Sequence, residues 1–347
     1  MPLLSSTLSS SSRQPFVLLQ SSIAQSCLPV LSYITNQAAL GSGTTLLFCF
    51  LYPPLAFADQ PHEQLRVFDW TEHIPGYSED TFEARAEILS ALRSAPQGLL
   101  SVIIDSVDTL LSDVGSLAKT HLFLSEIYAT IRARSSPSRL VLHVLGPSPI
   151  IPILTQTKFS PTLAHITAHP SVLLTHIASE YLTPPPPASP PEKFWRVFLP
   201  IAERYYESEK LVFGQDGEGC GGRDFVVEVL VRGADGSGRR RGVERVLEGW
   251  ADSRSCDLTG LESLKSLWTR KAAEEVSSGP DPTQNLSFNL NLTPQQQHSR
   301  AQVPLPYAHE GKPSEHTAMP VTQGAILYDP DSADDIDDDD PDEDLDI

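Results

Sequence analysis

One acidic residue of this 347-residue chain follows a pattern associated with nucleotide chemistry. The apolar run at residues 99–104 ends on Asp105, as a Walker B strand ends on the carboxylate that holds the Mg²⁺ shell of an ATPase. That role needs a second loop, with glycines and a lysine to cradle the phosphates. The loop at residues 20–26 has neither, and the GSGTT segment at 41–45 precedes a strand and lacks a lysine. Asp105 is therefore expected to make structural hydrogen bonds at the end of a strand.

Two further patterns could support chemistry but are incomplete. His165 and His169 are four residues apart, as two metal ligands on a helix could be, yet they lack an intervening glutamate and a nearby acidic third ligand. Packing or solvated histidines are the favoured interpretation. The Gly-x-Ser-x-Gly signature of a nucleophile elbow is absent, and the four cysteines are widely spaced. We expect no catalytic residue, no cofactor and no metal, and reduced thiols typical of a cytosolic or nuclear protein.

A basic cluster lies in the glycine-rich segment 233–242. Arg239, Arg240 and Arg241 are adjacent there, between two apolar runs where a hairpin would turn. Three guanidinium groups on such a loop could reach RNA phosphates. Taken alone, the cluster is better explained as a solvated linker.

The end of the sequence is strongly acidic. Twelve Asp and Glu residues fall between positions 329 and 346 without a Lys or Arg, and they supply most of the net charge of −19. Such a segment repels itself and cannot form a core. Apolar residues flank the acidic run: Ile326, Leu327 and Tyr328 before it, Leu345 and Ile347 at its end. We expect these apolar residues to dock into grooves on a partner.

The elements that would position these residues alternate in the first half of the chain. Five short apolar runs, at 16–19, 46–52, 99–104, 140–145 and 172–174, are near-continuous, as strands covered on both faces should be. Helical spacing separates them, for example at Leu124, Ile127, Tyr128 and Ile131, and Asp80 with Glu83 forms a capping signal. This alternation predicts an α/β fold, a mainly parallel sheet flanked by helices.

The second half changes character at a proline-rich loop, 184–193. Strand-like runs at 194–199, 211–213 and 225–231 follow it and predict antiparallel strands on one edge of the sheet. The expected organisation is a disordered N-terminus at 1–13, an α/β domain at 14–255, a short helical segment at 256–276 and a disordered region at 277–347 that ends in an acidic tail, 329–347. The longest apolar run is too short for a membrane span, so we expect a soluble intracellular protein.

Three segments of the sequence carry a family resemblance. The closing DPDEDLDI is the first; the second is FNLNLT at 288–293, which leads through a Gln-rich stretch to Arg300 and VPLPY at 303–307; the third and weaker one is GVERVLEGW at 242–250. In these segments the chain resembles the fungal form of the fifth-subunit family of the eukaryotic Elongator complex. The two strong segments, 288–307 and 340–347, make up less than a tenth of the chain, and the order of all three agrees with the family. The run at 295–297 departs from the more charged family pattern.

That resemblance implies a fold and a role. The fold would be RecA-like, a degenerate P-loop NTPase fold without Walker A. The chain would be a non-catalytic subunit of a heterohexameric ring with the fourth and sixth Elongator subunits, in cytoplasm and nucleus. The ring would support 5-carboxymethyl-type modification of the tRNA wobble uridine, U34, and the arginine cluster would then be a candidate tRNA contact. Two alternatives stay open: an acidic-tailed histone- or RNA-associated chaperone, and an atypical NTPase.

Overall fold

The computed structural model describes residues 2–9, 14–57, 63–73, 84–215, 217, 224–233 and 242–268, and two single positions, 295 and 298. The chain divides into two units, Met1–Ala273 and Glu274–Ile347. The strands β1 to β9 and the helices α1 to α10, whose bounds follow, all lie in the first unit. None of the helices in these stretches is both long and apolar enough to cross a membrane.

One sheet forms the centre of the first unit. Its strands are β1 (Phe16–Ser21), β2 (Thr44–Cys49), β3 (Leu65–Asp69), β4 (Leu100–Ile104), β5 (Ser138–Leu145), β6 (Leu163–His169), β7 (Phe225–Arg232), β8 (Val243–Ala251) and β9 (Arg254–Cys256). Their order is β3-β2-β4-β5-β1-β6-β7-β8-β9. Neighbours from β3 to β6 are parallel, whereas β7, β8 and β9 are added antiparallel.

Helices cover both faces of the sheet. They are α1 (Leu3–Leu8), α2 (Leu28–Leu40), α3 (Ala84–Ser94), α4 (Val107–Val114), α5 (Leu117–Arg132), α6 (Ile151–Leu154), α7 (Ser171–Glu180), α8 (Pro191–Ala202), α9 (Tyr205–Phe213) and α10 (Lys265–Trp268). Phe16 and Leu18 of β1 point to the first face, where α3 to α6 pack at one end and α7 to α9 at the other. Val17 and Leu19 point to the second face, which α1 and α2 cover.

The strand interiors explain why the runs in the sequence are so apolar. Every residue of β1 is buried, because the strand lies between β5 and β6 and is covered on both faces. The helical stripe predicted at Leu124, Ile127, Tyr128 and Ile131 is the buried face of α5. The predicted α/β, RecA-like architecture, with its antiparallel strands toward the C-terminus, is confirmed. The capping signal at Asp80 and Glu83 lies outside the described residues.

Three predicted strands are helices. Residues 194–199 lie in α8, where Phe194, Phe198 and Ile201 recur at helical spacing and are buried. Proline can occupy the first helical turn at no cost, so α8 begins at Pro191 and the proline-rich loop ends three residues earlier than predicted. Residues 211–213 are the last turn of α9, and residues 172–174 belong to α7. Short apolar runs do not by themselves distinguish strand from buried helix.

Two further expectations are corrected. His165 and His169 lie on strand β6 and not on a helix; because strand side chains alternate, residues four apart still share one face. The N-terminus is not disordered throughout, since residues 3–8 form α1 with Leu4 and Leu8 buried against the second face. The apolar side chains of this serine-rich segment contribute to docking the short helix.

Candidate functional site at the carboxyl edge of the sheet

The residues singled out for binding lie outside the described part of the chain. This holds for Arg239, Arg240 and Arg241 and for the apolar residues around the acidic tail, Ile326, Leu327, Tyr328, Leu345 and Ile347. The strands that lead to the arginine cluster are described. Arg232 of β7 pairs with Val243 of β8, so the cluster belongs to the connection of an antiparallel hairpin, as its position between two apolar runs predicted.

The loop between β1 and α2 occupies the position of a phosphate-binding loop. It leaves the carboxyl end of β1 and opens a helix, where open α/β sheets bind ligands. Its amides, however, already bond to serine hydroxyls of the same loop: Cys27 to Ser21 (2.8 Å), Gln25 to Ser22 (3.1 Å) and Leu28 to Ser26 (3.1 Å). Proline at position 29 removes one more N–H from the helix start. The donors that would bind phosphate are therefore largely satisfied.

Asp105 lies at the same edge of the sheet, directly after strand β4, which is separated from β1 by β5. It is completely buried, and its carboxylate accepts the backbone N–H groups of Phe50 (2.7 Å), Leu51 (3.0 Å) and Tyr52 (2.8 Å) in the loop after β2. Burial raises the pKa of Asp105, and the three amide hydrogen bonds oppose that rise. The carboxylate fixes the loop to the end of β4. The prediction that Asp105 makes structural hydrogen bonds at a strand end is confirmed.

A serine–histidine pair lies between these two loops. Nε2 of His143 is 2.7 Å from Oγ of Ser21, and its Nδ1 is 2.6 Å from the backbone oxygen of Asp105. The Nδ1–H therefore donates to that carbonyl, and Nε2 accepts the serine proton. Burial lowers the pKa of His143, which keeps the ring neutral. Both side chains are almost inaccessible, and the ring is oriented by a carbonyl and not by a carboxylate, so the pair is built for structure.

A polar cleft of about 410 Å³ opens on the first face of the sheet, beside this edge. The polar cleft is lined by side chains of β1, β6, β7 and β8 together with Tyr205 of α9. Oε1 of Gln20 lies 2.9 Å from Nε2 of His165, and its Nε2 donates to the Tyr205 hydroxyl at 2.8 Å. Burial lowers the pKa of His165 to about 4, so this imidazole is neutral at physiological pH.

The opposite side of the polar cleft holds an ionic group. Glu228 accepts a hydrogen bond from His169 Nε2 at 3.1 Å, and it forms an ion pair with Arg245, whose Nε lies 3.3 Å from the carboxylate. Burial alone would raise the pKa of Glu228, but the hydrogen bond from His169 and the nearby positive charges lower it. Arg245 also lies over the ring of Trp195 at 5.8 Å. These polar groups pair with one another, and within the described stretches no three or more His, Cys, Asp or Glu side chains gather to hold a metal.

Most of these partners could not be found from the sequence. His143 lies 122 residues from Ser21, and Tyr205 lies 185 residues from Gln20. No local motif joins either pair: the parallel pairing of β1 with β5 brings His143 to Ser21, and the position of α9 beside the sheet brings Tyr205 to Gln20. The one available signal was polar residues within otherwise apolar runs, such as Gln20 in β1 and His143 in β5.

Comparison of the sequence with known proteins gives a family match. A family model described as Elongator subunit Iki1 matches residues 3–329. Elongator complex protein 5 of Danio rerio is 37% identical over 88 residues, which are 25% of this chain and 30% of the relative. The Mus musculus protein of that name is 41% identical over 70 residues (19% and 23%), and the Schizosaccharomyces pombe protein 40% over 79 residues (21% and 25%). The chain spans less than a third of each relative's length in these matches.

The family resemblance read from the three sequence segments is thus confirmed by a match that extends over nearly the whole chain. The chain belongs to the Elongator subunit Iki1 family.

Proposed function

We propose that this chain is a non-catalytic subunit of the Elongator complex. Family membership supports a place in that complex, and the curated relatives carry the name Elongator complex protein 5. The observation that carries the non-catalytic part is the loop after β1. Its amides are capped by Ser21, Ser22 and Ser26, which leaves no donor cradle for a triphosphate.

The partners belong to the same proposal. The chain assembles with the fourth and sixth Elongator subunits into a heterohexameric ring, in which a sheet of this kind offers its edges and flanking helices to neighbours. The ring docks on the catalytic part of Elongator and supports 5-carboxymethyl-type modification of the tRNA wobble uridine in cytoplasm and nucleus. The arginine cluster at 239–241 contacts tRNA phosphates, and the apolar residues at 326–328, 345 and 347 dock on a partner.

Co-expression tests the assembly. The tagged full chain should recover two RecA-like subunits in equal amounts, identified by mass spectrometry, and the three together should form a particle with the mass of six chains. A chain that stays soluble by itself and recovers histones through its acidic tail instead would favour the chaperone alternative and overturn the proposal.

Calorimetry tests the absence of an ATPase site. Titration of the full chain with Mg–ATP should give no saturable heat, because the donors of the loop are occupied. Micromolar ATP binding that is abolished in Asp105→Ala would favour the atypical NTPase.

A further inference from the structure

A row of polar side chains crosses the opposite, amino edge of the sheet. Thr45 of β2 pairs in register with Ser101 of β4, and Ser101 pairs with Arg139 of β5. Residues paired across neighbouring strands point to the same face. The three side chains therefore form a line on the second face, next to the carboxyl end of α2.

Arg139 is unusual in this row because it is a buried cation without an anion. Its side chain is only 6% exposed. Its Nε donates to Ser101 Oγ at 3.3 Å, and its Nη1 donates to the backbone oxygens of Leu8 and Ser9 at 3.3 and 3.4 Å. Its Nη2 has no hydrogen-bond partner among the described residues, and no carboxylate of those residues forms an ion pair with it.

Burial without a counter-charge has a measurable cost. It lowers the pKa of Arg139 to about 10, although guanidinium groups ordinarily titrate above 12. Removing an arginine from water is unfavourable unless its donors and its charge are both compensated. The long hydrogen bonds to the end of α1 satisfy two donors of the guanidinium but leave its positive charge without a counter-charge.

A cavity of about 190 Å³ lies against this row. The row itself, the end of α2 at Ala38 and the loop at residues 41–44 enclose it. The loop approaches closely because position 43 is glycine: a Cβ there would lie 2.7 Å from the Cβ of Leu99. An engineered cavity of about 150 Å³ is large enough for benzene, whereas drug-sized ligands need roughly 300 Å³ or more. A pocket of this size accommodates one small group.

A second group in the row also lacks a partner. Thr45 is 1% exposed, and its hydroxyl has no hydrogen-bond partner in the described part of the chain. The Ser101 hydroxyl accepts from Arg139, so its own proton is available to an acceptor. A guanidinium flanked by two hydroxyl donors is the set that recognises oxyanions.

We infer that this cavity is an oxyanion site, in which Arg139, Thr45 and Ser101 hold a single carboxylate, phosphate or sulfate group. The ligand is a free oxyanion of this size. The competing explanation is that Arg139 serves only to hold the last carbonyl groups of α1.

The test is calorimetric titration of the full chain, or of the complex it forms, with phosphate, sulfate and acetate at constant ionic strength. One saturable site is expected. Arg139→Met keeps an unbranched apolar stem and removes the guanidinium with its charge, so it should weaken binding at least about ten-fold. Arg132→Met, which removes an exposed arginine from the last turn of α5, should leave affinity unchanged. Thr45→Val, which keeps the shape of the side chain and removes the hydroxyl, should weaken binding several-fold. This variant tests the site independently if Arg139→Met fails to fold.

The opposite outcome is equally clear. No saturable heat in the full chain, or equal heat with and without Arg139, would overturn the oxyanion site and leave Arg139 as a clamp on α1.

Discussion

At the residue scale, Asp105 is the part of the Walker B-like pattern that the chain retains. The carboxylate ends a buried strand as a magnesium-binding acid would, yet it accepts three backbone amides of the neighbouring loop. Those hydrogen bonds fix the loop after β2, which is the role the sequence predicted for it. An acid at a strand end is therefore not sufficient to identify a catalytic site when its partner loop has neither glycine nor lysine.

Replacing Asp105 should destabilise the fold. Asp105→Ala leaves three backbone N–H groups, one buried and two partly buried, without their acceptor and should lower the free energy of unfolding by about 3 kcal/mol. Asp105→Asn keeps one acceptor and should cost about half as much. Urea unfolding of the full chain measures both. Asp69→Ala removes an exposed acid at the last position of β3 and should cost less than about 1 kcal/mol. An equal loss in Asp105→Ala and Asp69→Ala would contradict the structural role.

His165 should make stability depend on pH. Its pKa in the folded chain is about 4, whereas an exposed histidine titrates near 6.5. As the pH falls from 6.5 to 4, the unfolded chain takes up a proton that the folded chain does not. The free energy of unfolding should therefore fall with decreasing pH, by up to about 1.4 kcal/mol per pH unit from this residue.

Unfolding curves at several pH values check this. In His165→Gln the slope between pH 6.5 and 4 should be shallower than in the wild type by that amount. His176→Gln, a partly buried histidine of α7, controls for the loss of an imidazole elsewhere. Parallel pH curves for the wild type and His165→Gln would show that the ring titrates normally in the fold.

At the scale of elements, α1 shows how a short helix is held in place. Two carboxylate oxygens of Glu248, in β8, accept the first backbone N–H groups of the helix at Leu3 and Leu4. The carboxylate thus caps the helix from another element, and its negative charge interacts favourably with the positive end of the helix dipole. A six-residue helix is unstable in isolation, so α1 depends on this contact and on the burial of its leucines.

Glu248→Ala should release α1. The loss of both acceptors should lower the free energy of unfolding by about 1–2 kcal/mol, and the amides of residues 3–8 should exchange with deuterium faster. Hydrogen exchange followed by mass spectrometry measures this directly. Glu244→Ala, four residues earlier on the same strand and exposed, should leave that exchange unchanged. Unchanged protection of residues 3–8 in Glu248→Ala would mean that leucine burial alone holds the helix.

The elements were predictable where the period of the apolar residues was clear. The strands β1, β2, β4 and β5 and the stripe of α5 were recognised because their runs are long or their spacing repeats. In α8, the apolar neighbours Trp195 and Val197 concealed the helical repeat of its buried face. Strand β6 was not predicted because its sequence, LAHITAH, alternates polar and apolar residues and so contains no continuous apolar run. Its two histidines also fit a helical spacing. The polar cleft and the oxyanion cavity depend on pairings between distant strands, which no local pattern encodes.

At the scale of the whole molecule, charge is distributed unequally. The chain has a net charge of −19, most of it between residues 329 and 346, and its one run of adjacent arginines lies at 239–241. A protein of this charge does not attract nucleic acid through its general field, so any contact with tRNA must be local.

If Arg239, Arg240 and Arg241 touch phosphates, their replacement by Ala should weaken tRNA binding by the assembled complex, and more so at low salt. The salt dependence of log affinity should flatten by about one unit for each phosphate that is no longer neutralised. A filter-binding series in rising salt measures this. The matched control removes three exposed cations elsewhere: Arg93, Lys119 and Arg132. If affinity and slope are unchanged, the cluster is a solvated linker.

Variants of the acidic tail, residues 329–347, test whether its function depends on the order of its residues or only on its charge. Its apolar residues should dock on a partner while the Asp run lies along a basic surface, and a pure charge effect would be insensitive to sequence. A scramble of 329–346 and the pair Leu345→Ser with Ile347→Ser both keep the charge and should impair assembly or wobble-uridine modification. Full function in both, with loss in a charge-neutral tail, would show that charge alone acts.

The position of β1 has a consequence for the order of events during synthesis. This completely buried strand is made about 120 residues before its partner β5, and β6 follows later still. At a ribosomal rate of about 5–20 residues per second, the strand waits roughly ten seconds for its first neighbour. The cap of α1 comes later again, since Glu248 lies 245 residues after Leu3. The apolar side chains of β1 and α1 therefore stay uncovered by these partners while the intervening chain is translated.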